Sequence, residues 1–430
     1  MEREGFSRAI PSLRVEREGF SRAIPSLRVE REGFSRAMNR PLNGITVVSV
    51  EQAVAAPFAT RQLADLGERV IKIERPDGGD FARGYDTAVK GLSSYFVWLN
   101  RSKESLTLDL KRPEGADVLG RLLSRADVFV QNLAPGAADR LGTATPLLRE
   151  RYPRLVVCNV SGYGSSGPYT KKKAYDLLVQ SEVGLVSITG SPDSPARVGI
   201  SVADIAAGMY AYSGILTALL ARTTTGMGTS LEVSLFDALG EWMGQPAYWA
   251  GYGGGSPPRS GANHASIAPY GPFRAGDGGS IYLGIQNARE WTRFCADVIG
   301  QPGLATDERF ATNVLRVRNR TALHAVIESV FSTLTSSAVA SRLETAGIAW
   351  ARMNSVNEYL DHPQLKDRDS WRDIGSSAGP LRALIPPVRM DGVEPAMGDV
   401  PALGQHTDAI LEELGIARDT VAAWRTQGAI

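Results

Sequence analysis

From about residue 44 onward, short apolar segments alternate with amphipathic ones. "ITVVSV", "RVIKIER", "DVFVQNL" and "RLVVCNVSG" are rich in β-branched residues, which predicts buried strands. Between them, "PFATRQLADLG" begins with Pro57 and ends with Gly67, and "RPEGADVLGRLLSRA" has Pro113 early, which predicts helices. Strands separated by helices indicate a doubly wound, Rossmann-like α/β domain with a parallel sheet, here over about residues 40–200.

A long helix is predicted next, from Asp204 to about Arg222 in "VADIAAGMYAYSGILTALLAR". The stretch "GYGGGSPPRSGANHASIAPYGPF" that comes later is rich in Gly, Pro and Ser, as is typical of a domain boundary. Beyond it, a strand "GSIYLGIQ" and helices over Glu290–Ile299, Arg320–Leu334 and Ser337–Ala346 predict a smaller α+β domain. Pro-punctuated strands and the helical piece "HTDAILEELG" follow.

The N-terminus carries a sequence repeat. "EREGFSRAIPSLRV" begins at Glu2 and again at Glu16, and a third copy starts at Glu30 and breaks off at Met38. So few copies cannot stack the core of a solenoid, and the long apolar segment of a signal peptide is missing. We interpret the repeat as a translated stretch upstream of a natural start at Met38, non-native or disordered. A genuine binding tail is the alternative.

These patterns divide the chain. The expected parts are an N-terminal extension, a large domain, a linker, a small domain and a C-terminal segment that returns to the large domain: residues 1–37, 38–225, 226–262, 263–350 and 351–430, respectively.

Composition excludes several classes of function. The 430 residues are 43% hydrophobic and 22% charged, with a net charge of +1, which gives no general attraction to nucleic acid or to a membrane surface. Two isolated cysteines, Cys158 and Cys295, favour a cytoplasmic protein without a disulfide framework. The four histidines lack metal-ligand spacing, so we expect no metal site. No uninterrupted apolar run is long enough to predict a membrane span.

"GYGSSG", from Gly162 to Gly167, matches the dinucleotide-binding pattern G-x-G-x-x-G after a strand. Pro168 and three lysines follow, so no helix opens directly after the third glycine. We therefore interpret the segment as a loop at the exit of a strand, not as a nicotinamide or flavin site.

Cationic and amide side chains stand at several predicted strand ends: Arg75, Lys111, Asn132, Arg140 and the run Lys171–Lys173. Ligands of open α/β sheets bind at the carboxyl ends of the strands. These groups therefore favour a polyanion, such as a phosphorylated cofactor. A solvated surface is the alternative for the lysine run.

Asp204 is the only charge at the start of the long apolar helix. As an N-cap it would accept backbone N–H bonds, worth about 1 kcal/mol. The helix dipole would also keep such a carboxylate ionised, and a carboxylate near a cleft can attack an activated acyl group. The pattern alone leaves a cap and a nucleophile as compatible interpretations.

The sequence resembles the class III coenzyme A transferases, the family of formyl-CoA transferase and carnitine CoA-transferase, over nearly all of residues 42–415. The resemblance lies in "PLNGITVVSVEQAVAAPFATRQLADLGERVIKIERPDGGDFARG", "NRSKESLTLDLKRPEG", "ADVFVQNLAPGAADRLG", "VSGYGSSGPYTKKKAYD", "VADIAAGMYAYSGILTALLARTTTGMGTSLEVSLFDA" and "LGQHTDAILEELG". It implies an enzyme with Asp204 as the catalytic carboxylate, a CoA thioester as substrate and no permanently bound cofactor. The CoA contacts that it implies are Val54, Ala55, Arg75, Leu108, Lys111, Asn132, Leu133, Ala134, Arg140 and Lys173.

The resemblance also implies a reaction sequence. Asp204 attacks an acyl-CoA to give a mixed anhydride, the released thiolate returns to form an aspartyl-CoA thioester, and the acceptor carboxylate takes over the CoA. Tyr175 is then expected to hydrogen-bond an intermediate, and Asp176 to orient it.

Two other functions compete with transfer. The racemase branch of the family uses a histidine where this chain has Tyr175, and an unperturbed tyrosine is a poor acid or base near neutral pH, so we favour transfer over epimerisation. A non-enzymatic CoA- or nucleotide-binding protein is the other alternative.

Formyl-CoA transferase carries a glycine-rich loop over its aspartate, and the matching region here is "GANHASIAPYG". His264, Ser266 and Tyr270 offer hydrogen-bond donors to a second carboxylate, which favours a dicarboxylate or hydroxy-acid acceptor. We expect succinyl-CoA as the donor, with an intramolecular CoA shift within one dicarboxylate as the alternative. The family also implies an interlocked homodimer.

Overall fold

The computed structural model describes residues 40–430, so the N-terminal repeat and Met38 lie outside the described residues. The strands of the large part are β1 (Thr46–Val50), β2 (Arg69–Glu74), β3 (Lys103–Thr107), β4 (Val128–Gln131), β5 (Val156–Ser161), β6 (Gly190–Ser191), β7 (Ser194–Pro195) and β8 (Ser230–Ser234). Its helices are α1 (Ala55–Asp65), α2 (Ser94–Asn100), α3 (Pro113–Leu123), α4 (Ala137–Arg140), α5 (Thr145–Arg151), α6 (Asp176–Glu182), α7 (Leu185–Ile188), α8 (Val202–Thr225), α9 (Leu235–Trp242) and α10 (Gly244–Tyr252). A 3₁₀ helix spans Phe81–Gly84.

Six strands form one parallel sheet in the order β3-β2-β1-β4-β5-β8. Helices α1, α8 and α9 cover one face, and α3 and α5 cover the other. Because both faces are covered, the strand residues are buried on both sides, as the near-continuous apolar runs require. The doubly wound α/β prediction is confirmed.

The predicted linker over residues 226–262 is wrong in its first half. Strand β8 pairs with β5 from Val157 opposite Ser230 to Ser161 opposite Ser234, and α9 packs against α8. Gly228 permits this entry into the sheet, because a Cβ there would lie 2.2 Å from the carbonyl oxygen of Leu155. The large part therefore continues beyond residue 225, and the other domain boundaries stay predictions.

The small part is an antiparallel sheet flanked by helices. Its strands, in the order β11-β10-β9, are β9 (Tyr270–Arg274), β10 (Ser280–Gly284) and β11 (Ala349–Arg352). Its helices are α11 (Ala288–Arg293), which continues as a π-helical turn over Phe294–Val298, α12 (Asn313–Arg318), α13 (Arg320–Phe331) and α14 (Ser336–Thr345), with a 3₁₀ helix at Pro302–Ala305. A separate core surrounds Phe273, Phe294 and Phe331.

The C-terminal residues pack against the large sheet. Their elements are α15 (Val356–Leu360), α16 (Pro363–Asp367), β12 (Trp371–Ile374), β13 (Leu381–Leu384), α17 (Thr407–Glu413) and α18 (Arg418–Thr426). His406 N–H donates to the carbonyl oxygen of Ser105 (3.0 Å), and Ser105 N–H donates to Nδ1 of His406 (3.1 Å). These bonds cover β3, the edge strand of the large sheet.

Helix α8 is the long apolar element of the chain. Its length and its mean hydropathy of 1.3 would suffice to cross a bilayer, but half of its apolar window is buried in the fold. Core helices of soluble proteins have the same properties. Its buried side is made largely of alanines, which let α1 approach closely.

Candidate active site

The carboxyl ends of the six parallel strands form one edge of the large sheet. Helix α8 runs in the direction opposite to the strands. At its C-terminal end Arg222 donates to the carbonyl oxygens of Asp127 (3.4 Å) and Arg154 (3.2 Å), which precede β4 and β5. The opposite end of α8, which carries Asp204, therefore lies at the carboxyl edge, where ligands of such sheets bind.

The segment between β1 and α1 is fixed from two sides. Ala53 has a positive φ of 62°, and its N–H donates to Oδ1 of Asp80 (3.0 Å). Gln52 N–H donates to Oδ1 of Asn132 (2.9 Å), whose Nδ2 donates back to the Gln52 carbonyl oxygen (2.8 Å). Both ends of the Asn132 amide thus bind Gln52, and Asn132 N–H donates to the carbonyl oxygen of Val50 (3.4 Å), so this residue positions the loop.

Helix α1 begins beside Asp204. Gly208 lies one turn after Asp204 on the same face of α8, and a Cβ there would lie 2.7 Å from the carbonyl oxygen of Ala55. Only glycine permits this approach. Val54 and Ala55 are buried at the start of α1, so the two predicted contacts lie next to the first turn of α8.

Asp204 is not the cap of its helix. Ser201 occupies the N-cap position without a side-chain bond. The cap comes instead from Asp176 in α6, whose Oδ1 accepts from Ala203 N–H (2.8 Å) while its Oδ2 accepts from Nε2 of Gln180 (2.7 Å). Within residues 40–430 the Asp204 carboxyl makes no hydrogen bond or ion pair. The carboxyl is therefore available for chemistry.

Burial, and after it the negative charge of Asp176, raises the pKa of Asp204 to about 7. The expectation that the helix dipole keeps this carboxyl ionised is therefore wrong for neutral and acidic pH, because the loss of hydration outweighs the dipole. Near pH 7 the group is divided between its acid and its carboxylate, and raised pKa values of this kind are common in active sites.

Tyr85 is close enough to Asp204 for its pKa to be affected by that charge, which the sequence did not reveal. Its ring meets Tyr95 edge-on at 5.4 Å and lies 5.7 Å from Phe81. Burial, followed by the charges of Asp80 and Asp204, raises the pKa of Tyr85 to about 12, so its hydroxyl stays a hydrogen-bond donor. The segment "GGDFARGYD" around it has no periodic pattern that could have identified it. Tyr175, at 65% exposure, faces solvent at the start of α6.

The predicted polyanion contacts divide into two groups. Arg75, Lys111, Arg140 and Lys173 are exposed beyond their strand ends, where they can meet phosphate groups. By contrast, Leu108 is buried in the core and its N–H donates to the carbonyl oxygen of Glu74 (2.9 Å), so neither its side chain nor its N–H is presented to a ligand. Leu133 N–H already donates to Oε1 of Gln131 (2.7 Å), whereas Ala134 is exposed.

The glycine loop after β5 has no helix at its end. Gly162 packs against Ala174, since a Cβ there would lie 2.3 Å from that of Ala174, and Glu232 bonds the hydroxyl of Ser165 (2.6 Å). Lys172 pairs with Glu182. The loop thus follows β5 but does not lead directly into a helix, whose N-terminus a dinucleotide site requires.

The predicted acceptor residues form a separate cluster. The rings of His264 and Tyr270 stack at 5.2 Å, and Nδ1 of His264 accepts from the N–H of Ser266 (3.2 Å). His264 and Ser266 also line a cavity with Trp249. In the described part of the chain no hydrogen bond joins this cluster to Asp204. Among residues 40–430, no group of three or more His, Cys, Asp or Glu side chains is arranged to hold a metal ion.

The pH dependence of activity follows from the state of Asp204. Only the carboxylate can attack a thioester, so we expect kcat/KM to rise with pH through a midpoint near 7. In Asp176→Asn the side-chain oxygen still caps Ala203, but the neighbouring negative charge and the hydrogen bond from Gln180 Nε2 are gone. We expect that midpoint to fall by roughly one pH unit, measured from pH–rate profiles. An unchanged midpoint in Asp176→Asn would contradict this electrostatic coupling.

Residues 42–407 match CoA-transferase family III. The chain belongs to this family, and it is a CoA-transferase; the resemblance found in the sequence is confirmed.

Individual relatives cover most of the chain. An acyl-CoA transferase of Fusarium pseudograminearum is 33% identical over 90% of this chain and 88% of its own length. A succinate–glutarate CoA-transferase of Agrobacterium fabrum is 33% identical over 87% of this chain and 96% of its own length. A succinyl-CoA–D-citramalate CoA-transferase of Chloroflexus aurantiacus is 31% identical over 89% of this chain and 96% of its own length. An acetyl-CoA:oxalate CoA-transferase of Acetobacter aceti is 36% identical over 82% of this chain and 90% of its own length. The crystal structure of a CAIB/BAIF family protein from Brucella suis is 33% identical, with a TM-score of 0.76 over 87% of this chain and 100% of that one.

Proposed function

We propose that this enzyme moves CoA from succinyl-CoA to a dicarboxylate acceptor, with Asp204 as the nucleophile. The observation that carries the proposal is the carboxyl of Asp204, which is held at the carboxyl edge of the sheet and makes no hydrogen bond to any of residues 40–430, while Asp176 caps the helix in its place. The relatives named for succinyl-CoA, glutarate and D-citramalate support this choice of substrates.

The proposed steps need no oxidant or metal ion. An Asp204 oxygen attacks the thioester carbonyl, the C–S bond breaks, and CoA leaves as its thiolate. The thiolate attacks the Asp204 carbonyl of the resulting anhydride, which releases succinate and leaves an aspartyl-CoA thioester. The acceptor carboxylate attacks that thioester, and the thiolate set free then attacks the acceptor carbonyl of the second anhydride, which restores Asp204.

The surrounding residues suit these steps. The Tyr85 hydroxyl, kept protonated, is a donor for the oxygen that gains charge during attack, and the exposed Tyr175 is a second candidate. Exposed cations beyond the strand ends, Arg75 and Lys111 among them, offer partners to the phosphates of CoA. His264, Ser266 and Tyr270 offer donors to the far carboxylate of the acceptor.

Mass spectrometry tests the covalent step. Protein incubated with succinyl-CoA and trapped with hydroxylamine or borohydride should carry a modification on the peptide that contains Asp204. The same treatment of Asp193→Asn, an exposed carboxylate in the β6–β7 turn, should leave the modification in place. A modification at any other residue would overturn the assignment of the nucleophile.

An acceptor panel tests the substrate class. With succinyl-CoA as donor, glutarate, citramalate, malate, itaconate, mesaconate and oxalate are compared with formate. We expect turnover with the longer dicarboxylates, because their second carboxylate can accept hydrogen bonds from the His264 cluster, whereas formate has no second carboxylate. Turnover with formate alone would contradict the dicarboxylate assignment, and transfer within a single CoA ester without a free acceptor would favour the intramolecular reaction.

We also propose that two copies of the chain form the interlocked homodimer implied by the family. Large apolar side chains on α8 and α10 support this, since Leu220 is 71%, Tyr248 71% and Tyr252 87% exposed in one copy. Size-exclusion chromatography with light scattering should give the mass of two chains, and a stable monomer would contradict the proposal. The cytoplasmic location stays a prediction.

A further inference from the structure

The loop that carries the acceptor cluster is bound through its backbone to the small domain. Five successive carbonyl oxygens, from His264 to Ala268, all accept hydrogen bonds from side chains of α12 and α13. The bonds run from Arg320 Nη2 to His264 (2.6 Å), Ala265 (3.3 Å) and Ile267 (3.4 Å), from Asn313 Nδ2 to Ser266 (2.8 Å) and from Arg316 Nε to Ala268 (2.6 Å).

The three donors come from one short stretch of chain. Asn313, Arg316 and Arg320 are spaced by three and four residues, which places side chains on the same side of helical structure. Arg316 is itself buried, and its guanidinium lies 4.7 Å from the ring of Trp291, so it is held within the small-domain core. Asn313 binds the loop a second time, because its Oδ1 accepts from Ala268 N–H (3.1 Å).

These bonds leave the loop backbone little freedom. With every carbonyl from His264 to Ala268 held by α12 and α13, a change of loop conformation would have to break several hydrogen bonds at once. The His264 ring is fixed in addition by its stacking on Tyr270, and it lines the cavity that Gln245 and Trp249 also border. The backbone that carries His264 and Ser266 is therefore held by the small domain without a ligand.

We propose that Asn313, Arg316 and Arg320 are positioning residues that hold the His264–Tyr270 loop in the conformation that binds the far carboxylate of the acceptor. The inference rests on the proposed transfer to a dicarboxylate. A loop that is already ordered pays no ordering entropy when the acceptor binds, so removing its supports weakens acceptor binding without altering the attack of Asp204 on the donor.

Arg320→Met tests the proposal, because it keeps the apolar stem and removes the donor to three carbonyls. We expect the KM for glutarate to rise by about tenfold or more, while the rate of Asp204 acylation by succinyl-CoA stays within about twofold of the wild type. Arg318→Met is the matched control: Arg318 is exposed on the same helical stretch and makes no hydrogen bond to the loop. Its kinetics should equal those of the wild type.

Hydrogen exchange provides a readout that does not depend on activity. In Arg320→Met the amides of residues 262–271 should exchange faster than in the wild type, and glutarate should protect them in the wild type only. Arg320→Lys keeps one charged donor and should restore part of the acceptor affinity. If the loop of Arg320→Met exchanges faster but the KM for glutarate is unchanged, the proposal is overturned. It is also overturned if the rate of Asp204 acylation and the use of glutarate fall by the same factor. If the wild-type enzyme does not use succinyl-CoA, the proposed function is contradicted instead. The protection of the loop amides by glutarate then still tests whether the loop binds a dicarboxylate.

Discussion

Asp204→Asn should abolish CoA transfer while the protein stays folded. The substitution keeps the shape of the side chain and removes the oxygen nucleophile, so kcat should fall at least about a thousandfold. Initial rates with succinyl-CoA and glutarate measure the loss. Circular dichroism and the CoA affinity should match those of the wild type.

The same variant should gain stability at alkaline pH. The pKa of Asp204 is about 7 in the folded chain and is ordinarily 3.8, so the native state binds the extra proton. Stability then declines as pH rises from about 4 to about 7, because ionising the buried group costs free energy that the unfolded chain does not spend. Asparagine removes this cost, and we expect the free energy of unfolding at pH 8 to rise by roughly 1–3 kcal/mol.

Loss of activity together with increased stability distinguishes a nucleophile from a cap. A capping aspartate would instead lose about 1 kcal/mol of stability on substitution. Asp193→Asn serves as the control, since this exposed carboxylate should change neither activity nor stability. Full activity in Asp204→Asn would exclude the proposed mechanism and favour a protein that only binds CoA.

The second large effect is expected from a buried network of ion pairs beneath the β1–α1 loop. Lys72 Nζ lies 2.7 Å from Asp80 Oδ2 and 3.7 Å from Glu51 Oε1, and Lys103 Nζ lies 2.8 Å from Glu51 Oε1. All four side chains are fully buried. Burial alone would lower the pKa of Lys72, but the carboxylates of Asp80, Glu51 and Glu74 outweigh it and raise that pKa.

Asp80→Asn should destabilise the protein by about 3–5 kcal/mol, because Lys72 then loses its nearest counter-charge in a fully buried site. The Asn oxygen can still accept from Ala53 N–H, so the loop contact is kept, while the charge and the hydrogen bond from Lys72 Nζ to Oδ2 (2.7 Å) are lost together. Urea unfolding followed by circular dichroism measures the loss. The control is Asp77→Asn, because Asp77 forms an exposed pair with Arg75 at 3.8 Å and such pairs contribute little.

If Asp80→Asn lowers the free energy of unfolding no more than Asp77→Asn does, the charge of the buried Lys72 is compensated by another group. A stable but inactive Asp80→Asn would instead show that the network acts chiefly by shaping the loop next to Asp204, since Asp80 binds Ala53 and Ala82 through the same oxygen.

The pattern of the sequence predicted most of the fold because periodicity reports burial. The runs "ITVVSV" and "RVIKIER" became adjacent strands, β1 and β2, and Pro113 marks the first residue of α3. The helices predicted over Arg320–Leu334 and Ser337–Ala346 are present as α13 and α14. β8 was missed because "SLEVS" is short and stands between two helices, α8 and α9. Its pairing with β5 depends on a strand about 70 residues earlier.

The sequence by itself determined the alternation of strands and helices, the family, and the presence of a lone carboxylate at the start of an apolar helix, since these are local properties of neighbouring residues. Only the tertiary structure decided what that carboxylate can do. Burial raises the pKa of Asp204, and Asp176, distant in sequence, adds to this through its charge while it caps the helix. Tyr85 and the three residues that hold the His264 loop likewise depend on contacts between distant segments, which periodicity does not encode.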